Sequence, residues 1–277
     1  MRDLNETLSE ELQQKLDKLK AYIKELGSLA VGFSGGVDST FLLVAAHEVL
    51  GDKAIAVTQA DPSVPERELK EAADFCRERG IRQFVCHADP MKEEGYRKNS
   101  ADRCYYCKKG IFTEIAKIAH ENGIAYTAEG SNMDDLGDYR PGLKAVEELE
   151  VKSPLREAGL GKADIRAISK AMGLPTWSKP SYACLASRFV YGEEISNEKL
   201  EMIDKAEQFL IEHGFLEERV RMHGKLARIE VPAADIPRLA SEEIREEIYK
   251  YFKELGFLFV TLDMKGYRLG SMNDTLK

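Results

Sequence analysis

The sequence has no apolar run long enough to cross a bilayer, no internal repeat and no low-complexity stretch. Met1-Arg2-Asp3-Leu4-Asn5-Glu6 does not read as a signal peptide, so the expected location is the cytoplasm, away from membranes. Positive charge is in short supply. A formal net charge of −8 counts against a chain that embraces a long nucleic acid, which weakens the case for a tRNA substrate. Cysteine is scarce as well: five in a reducing compartment make no disulfide framework, and each has to be read by itself. What remains is 277 residues, 32% charged and 43% hydrophobic, which fits a globular chain of one or two domains with a sizeable core.

The stretch around which the chain is organised is Ser34-Gly35-Gly36-Val37-Asp38-Ser39. It follows the apolar run Leu29-Ala30-Val31-Gly32-Phe33 and precedes a helical pattern from Thr40 to Leu50. Glycines at a strand-to-helix turn let the backbone close around an anion, and the unpaired N–H groups of the helix start hold its charge. Ser34 and Ser39 add hydroxyls. Asp38 would repel phosphate, but makes sense if it helps hold Mg²⁺ beside a pyrophosphate. There is no Gly-Lys-Ser/Thr, and so no lysine within the motif for a γ-phosphate.

Along the chain, Thr7-Leu8-Ser9-Glu10 has capping-box spacing ahead of a helix that Gly27 stops. Strands are expected at Ala54–Thr58, Gln83–His87 and Ile124–Ala128, with helices at Glu66–Arg79 and Lys109–Asn122. Strands alternating with helices imply right-handed βαβ units and a parallel sheet, whose ligands bind beyond the carboxyl ends of the strands. Glu129-Gly130-Ser131-Asn132-Met133-Asp134-Asp135 leaves a strand at that end, and its position favours a part in nucleotide binding. A further helix is expected near Lys162–Met172. After about residue 190 come a helix (Ser196–Gly214), two strands around His223-Gly224, a helix (Ser241–Leu255) and a strand (Phe257–Leu262). The expected fold class is therefore α/β: a parallel-sheet, Rossmann-like nucleotide domain over 1–190, then a small α+β domain over 191–277.

Cys76 and Cys86 fall within apolar patterns and read as core. Cys104-Tyr105-Tyr106-Cys107 lies among basic residues at a helix start. A redox pair, a zinc half-site or part of an iron–sulfur site would all use such spacing. With the remote Cys184 the pair makes three thiolates, which suits a cluster with one iron left open. Cys184 is flanked by Ser187 and Arg188. It reads either as a small buried hydrophobe or as a thiol beside a cation able to lower its pKa or hold an anionic substrate. Arg219 and Arg221, two apart on an expected strand, share a face and join Ser187 and Arg188 as substrate-binding candidates; surface pairing with Glu217 and Glu218 is the alternative.

The hexamer Ser34–Ser39 resembles the PP-loop of enzymes that split ATP between its α and β phosphates. With Asp138-Tyr139-Arg140-Pro141-Gly142, Pro180-Ser181-Tyr182-Ala183-Cys184-Leu185-Ala186-Ser187-Arg188 and Gly266-Tyr267-Arg268-Leu269-Gly270-Ser271-Met272-Asn273, nearly the whole chain resembles the LarE family of ATP-dependent sulfur transferases. The resemblance implies a nucleotide set of Ser34, Gly35, Gly36, Val37, Asp38, Ser39 and Thr58, with ATP and Mg²⁺. It implies adenylation of a pyridinium biscarboxylic acid mononucleotide and its conversion to a thiocarboxylate for the nickel-pincer nucleotide cofactor. Asp38 and Cys184 would be the catalytic residues. One branch of the family sacrifices the sulfur of the cysteine at position 184. The cluster-dependent pattern instead places [4Fe–4S] on Cys104, Cys107 and Cys184 and takes sulfur from inorganic sulfide or a carrier, and the three cysteines here favour it. A homo-oligomer is expected. An amide-forming synthetase, a tRNA thiolation enzyme and a nucleotide or iron–sulfur sensor are the competing readings.

Overall fold

The computed structural model describes residues 8–137, 141–180, 183–268 and 271. Thr7, Asp138, Tyr139, Arg140, Ser181, Tyr182, Leu269, Gly270, Met272 and Asn273, quoted above within motifs, lie outside those residues. The chain forms two compact units. One comprises Met1–Pro90 and Cys104–Tyr182, the other Met91–Arg103 and Ala183–Lys277. The division thus falls near 182 rather than 190, and the second unit recruits a piece from inside the nucleotide half.

In the first unit, α1 (Glu10–Leu26) starts at Ser9, whose hydroxyl accepts the Leu12 N–H, and stops at Gly27 with φ 72°. The capping serine lies two residues beyond Thr7. The strands are β1 (Leu29–Gly32), β2 (Ala54–Gln59), β3 (Gln83–Cys86) and β4 (Tyr126–Ala128). They form one parallel sheet in the order β3-β2-β1-β4. The helices between them are α2 (Val37–Leu50), α3 (Glu66–Glu78) and α5 (Arg103–Glu121), while α4 (Glu94–Arg97) lies in the stretch that belongs to the other unit. The helix α5 begins six residues before the expected Lys109, so the CxxC pair is itself helical.

Alternation along β1 explains how a short apolar strand builds two cores. Leu29 and Val31 pack with residues of α1 and α2, while Ala30 packs with Phe112, Ile115 and Ala119 of α5. Both faces are covered, as parallel sheets require. After β4 come α6 (Gly142–Glu148), α7 (Pro154–Glu157) and α8 (Lys162–Ala171).

The second unit holds α9 (Asn197–Glu212), β5 (Arg219–His223), β6 (Leu226–Glu230), α10 (Ile236–Leu239), α11 (Glu242–Leu255) and β7 (Phe259–Leu262). β5 and β6 form an antiparallel hairpin, and β7 lies parallel to β6. α9 packs on β5 and α11. The stretch 91–103 joins this unit through Asn99, a buried residue at φ 48°. Its side-chain amide donates to the Val190 carbonyl at 2.6 Å, and its own carbonyl accepts the Gly192 N–H at 3.0 Å.

The α9 helix is capped by the Ser196 hydroxyl, which accepts the Lys199 N–H at 3.3 Å. Ser196→Ala is expected to cost about 1 kcal/mol of stability, read by urea unfolding.

Candidate nucleotide and cysteine sites

The strand order reverses at β1, whose neighbours are β2 and β4, and the loops leaving β1 and β4 meet at their carboxyl ends. The β1 loop is Phe33–Gly36, with Gly35 at φ 70°, and α2 begins at Val37. Its polar groups are held by long internal bonds. The Ser34 and Ser39 hydroxyls lie 3.1 Å apart, the Ser34 N–H donates to Ser39 Oγ at 3.3 Å, and the Gly36 N–H donates to Ser34 Oγ at 3.4 Å. Bonds of this length are weak and readily exchanged for bonds to an anion. From the β4 side, Gly130 comes so close that a Cβ there would stand 3.0 Å from the Ser39 backbone nitrogen and 3.3 Å from Asp38. The two loops are in contact, and glycine makes the contact possible.

The charges at this crevice come from distant parts of the chain. The Asp38 carboxylate, in the first turn of α2, is paired with the Lys162 ammonium at the start of α8 and accepts from Asn132 Nδ2 at 3.4 Å. Asp134 accepts the Lys162 backbone N–H at 2.6 Å, which fixes the start of α8. Lys179 donates to the Gly35 carbonyl at 3.3 Å. Glu129 is buried and receives Lys108 at 3.0 Å, the Ser131 hydroxyl at 2.6 Å and the Ser153 hydroxyl at 2.9 Å. Burial pushes its pKa up, but Lys108 and the two hydroxyls more than offset this and hold it below the ordinary glutamate range.

Lys108 also belongs to the CxxC turn of α5. That turn is braced by α6: Tyr105 donates to Glu148 at 2.8 Å, and Gly142 lies against the Lys108 stem and the Cys104 carbonyl.

In the second unit, Cys184 is exposed at the start of a short 3₁₀ turn, Leu185–Arg188. Arg188 beneath it is 1% exposed and Glu207 on α9 is 0% exposed. Arg188 Nε and Nη2 donate to the two oxygens of Glu207 at 2.8 and 2.9 Å. Nη1 donates to the Ala183 carbonyl at 2.7 Å and the Ser187 hydroxyl at 2.9 Å. The turn bearing the thiol is thus fastened to a buried bidentate ion pair. Burial raises the pKa of Glu207, but the Arg188 guanidinium outweighs it and holds the carboxyl below its usual range. Arg221 donates to Glu230 at 3.0 and 2.9 Å, and to the Ser187 carbonyl at 3.3 Å.

Comparison with known proteins adds a family. The family model described as NAD synthase matches residues 11–109. An uncharacterized protein of Synechocystis is 40% identical over 96% of this chain and 99% of its own length. A pyridinium-3,5-bisthiocarboxylic acid mononucleotide synthase of Lactiplantibacillus plantarum is 36% identical over 96% of both chains. An uncharacterized protein of Methanocaldococcus jannaschii is 33% identical over 92% of this chain and 98% of its own.

The chain belongs to the LarE family. It is a PP-loop protein, of a superfamily that uses ATP and Mg²⁺. On this LarE fold, Ser34, Gly35, Gly36, Val37, Asp38 and Ser39 occupy the crevice. Thr58 lies one residue short of the end of β2, is 4% exposed and accepts from Gln83 Nε2 at 2.8 Å, so its side chain braces the sheet.

Arg188, Arg219 and Arg221 are buried rather than on the surface. Arg188 stands under the thiol's turn instead of open beside it, and Arg219 lies over the Tyr267 ring, 4.9 Å from its centroid. The cysteines divide by accessibility. Burial raises Cys76 to about 12 and Cys86 to about 11, while Cys104 and Cys184 are exposed and Cys107 is half-buried. Three accessible thiols suit an iron–sulfur donor set. Cys104 and Cys107 belong to one unit and Cys184 to the other. Among the described residues, no group of three or more His, Cys, Asp or Glu side chains gathers as a metal site.

Sequence reading missed Lys162, Lys179, Lys108 and Glu207, which carry no local signal, whereas Glu129 opens the stretch whose place at a strand's end favoured nucleotide binding.

Glu207→Leu is expected to cost roughly 3–5 kcal/mol, because it strands a buried guanidinium. The double variant R188M/E207L is expected to recover most of that loss in chemical denaturation. Gly130→Ala is expected to raise the KM for ATP while leaving Tm nearly unchanged, since only the loop-to-loop contact must give.

Proposed function

We propose that the protein adenylates one carboxylate of a pyridinium biscarboxylic acid mononucleotide with ATP and converts it to a thiocarboxylate, a sulfur-transfer step in building a nickel-pincer nucleotide. The observation that carries this reading is the exposed Cys184, held on a turn fastened to a buried ion pair. The 36% identity to a named bisthiocarboxylic acid mononucleotide synthase supports it.

The chemistry follows from the leaving group. A carboxylate cannot expel oxide, so the substrate carboxylate first attacks the α-phosphorus of ATP and pyrophosphate departs. The loop Ser34–Ser39 offers its N–H groups and hydroxyls to the phosphates, and Asp38 would hold Mg²⁺ once Lys162 turns to a phosphate oxygen. A sulfur nucleophile then attacks the acyl carbon and AMP leaves. Arg188 keeps the Cys184 turn in place by binding its carbonyls. Arg219 and Arg221 stand on the neighbouring strand as candidate partners for the substrate's anionic groups.

Cys104, Cys107 and Cys184 would hold the [4Fe–4S] cluster, which when bound supplies sulfide for transfer. A second reading is favoured by the exposed Cys184 on its anchored turn, which can act by itself. In it the Cys184 thiolate itself attacks, giving a thioester. Loss of the Cα proton then breaks the Cβ–Sγ bond, leaving the sulfur on the product and dehydroalanine at 184. Both readings place the enzyme away from nucleic acid and membranes, as a homo-oligomer in the cytoplasm.

Anaerobically purified protein is expected to carry about four irons per chain, the content of one [4Fe–4S] cluster, and to lose them in Cys104→Ser or Cys184→Ser. It is also expected to release pyrophosphate with the carboxylate substrate. Iron-free protein that yields a Cys184 lacking sulfur by mass spectrometry selects the sacrificial route. Undiminished sulfur transfer by iron-free Cys184→Ala overturns both.

A further inference from the structure

The loop motif carries no lysine of its own, yet the fold delivers one to it. Lys179 reaches the loop across 144 residues of sequence and donates to the Gly35 carbonyl at 3.3 Å. Its ammonium also donates to Glu71 on α3, at 2.7 Å. The Lys179 side chain is 17% exposed, whereas Glu71 is 59% exposed. An ion pair with so solvated a carboxylate is weak and exchangeable. The backbone that carries Lys179 is well held. Arg166 on α8 donates through Nη1 to the Trp177 carbonyl at 2.6 Å and through Nη2 to the Lys179 carbonyl at 2.8 Å. A fixed backbone, a long flexible stem and an easily released partner are what a phosphate-binding lysine needs. The space beside Gly35 is open, since a Cβ there would meet only Ala72, at 3.8 Å.

We propose that Lys179 is a phosphate ligand of the nucleotide loop: its ammonium leaves Glu71 and binds the pyrophosphate portion of ATP. This rests on the reading that the loop takes ATP, and it adds the residue that replaces the lysine missing from the motif. Lys162 is paired with Asp38 in the first turn of α2, on the other side of the loop, until Mg²⁺ takes that carboxylate. Lys179 approaches from the Gly35 side, so the two lysines bracket the loop and divide the neutralisation of a triphosphate. Glu71 acts as a placeholder that keeps the ammonium near the loop and desolvates it little.

The test is titration calorimetry with three probes in the presence of Mg²⁺: α,β-methylene-ATP, inorganic pyrophosphate and AMP. Lys179→Met is expected to weaken the ATP analogue and pyrophosphate about 10- to 100-fold, the worth of one charge-assisted bond, and to leave AMP unchanged. Lys179→Arg, which keeps the charge, is expected to retain most of the pyrophosphate affinity. Glu71→Gln is expected to tighten pyrophosphate by ~2- to 5-fold, because the placeholder no longer competes. Unaltered pyrophosphate binding by Lys179→Met overturns the assignment, as does a parallel loss of AMP or an equal loss in Lys179→Arg. Wild-type protein that binds none of the three probes sinks the nucleotide reading, and the role of Lys179 falls with it. Wild-type binding with an indifferent Lys179→Met defeats the lysine assignment alone.

Discussion

The contact between Gly130 and the start of α2 is the constraint on which the nucleotide site depends. Parallel strands β1 and β4 are neighbours, so the loops leaving their carboxyl ends must share one crevice. A larger residue at 130 would push the two backbones slightly apart, since its Cβ would stand 3.0 Å from the Ser39 nitrogen. The approach brings Asn132 onto Asp38, and the same loop, through Asp134, fixes the first turn of α8 and hence the base of Lys162. A single close backbone contact therefore sets the position of an acid, an amide and a base around the phosphate loop. The glycines inside the motif serve a different purpose, allowing the turn at Gly35 with its positive φ.

The second unit is organised by charge rather than by size. Its interior holds Arg188, Arg219 and Arg221 with Glu207, Glu218 and Glu230, all of them buried. Ionised groups are costly to bury, and they are retained where pairing is close and hydrogen bonds are satisfied. Glu207 meets that condition with both oxygens on Arg188 and a further bond from the Val220 N–H at 2.9 Å. Apolar residues would pack α9 on β5 at less electrostatic cost. What the ion pair provides is direction. A guanidinium with its fork committed on one side can present Nη1 to the carbonyl and hydroxyl groups of the cysteine turn at fixed geometry.

Elements with a local signature were legible in the sequence. The strand before Ser34, the helix after it and the burial of Cys76 and Cys86 follow from periodicity and small-residue patterns that the fold obeys. What periodicity cannot carry is pairing at long range. Lys162 lies 124 residues from Asp38, and nothing around either position announces the other. Arg188 illustrates the converse. An arginine four residues after a cysteine reads as an available cation, because its partner Glu207 sits on a different helix and its burial is invisible in sequence. Thr58, in the nucleotide set that the resemblance implies, accepts from Gln83 on the adjacent strand, another pairing that periodicity does not show. The stretch 91–103 looks like part of the nucleotide half because of where it falls in the chain. Its hydrogen bonds from Asn99 and Arg97 to residues 190–195 assign it elsewhere.

The proposed sulfur transfer, with Cys184 as the attacking thiol, would set two demands that pull against each other. The thiol must be open enough for a bulky acyl adenylate to reach it, and fixed enough that attack is not paid for in lost motion at each encounter. Burying the cysteine meets the second demand and defeats the first; burial also disfavours the thiolate, as the raised pKa values of Cys76 and Cys86 show. On that reading, Cys184 resolves the conflict by separating the two functions along the chain. Cys184 is exposed, while rigidity is supplied four residues away by Arg188. The CxxC turn follows the same rule: Cys104 is exposed, and Lys108 carries the anchoring bond to buried Glu129 one turn later. In both places the exposed cysteine and the group that holds its turn are different residues, so the holding group can be buried and paired without burying the thiol.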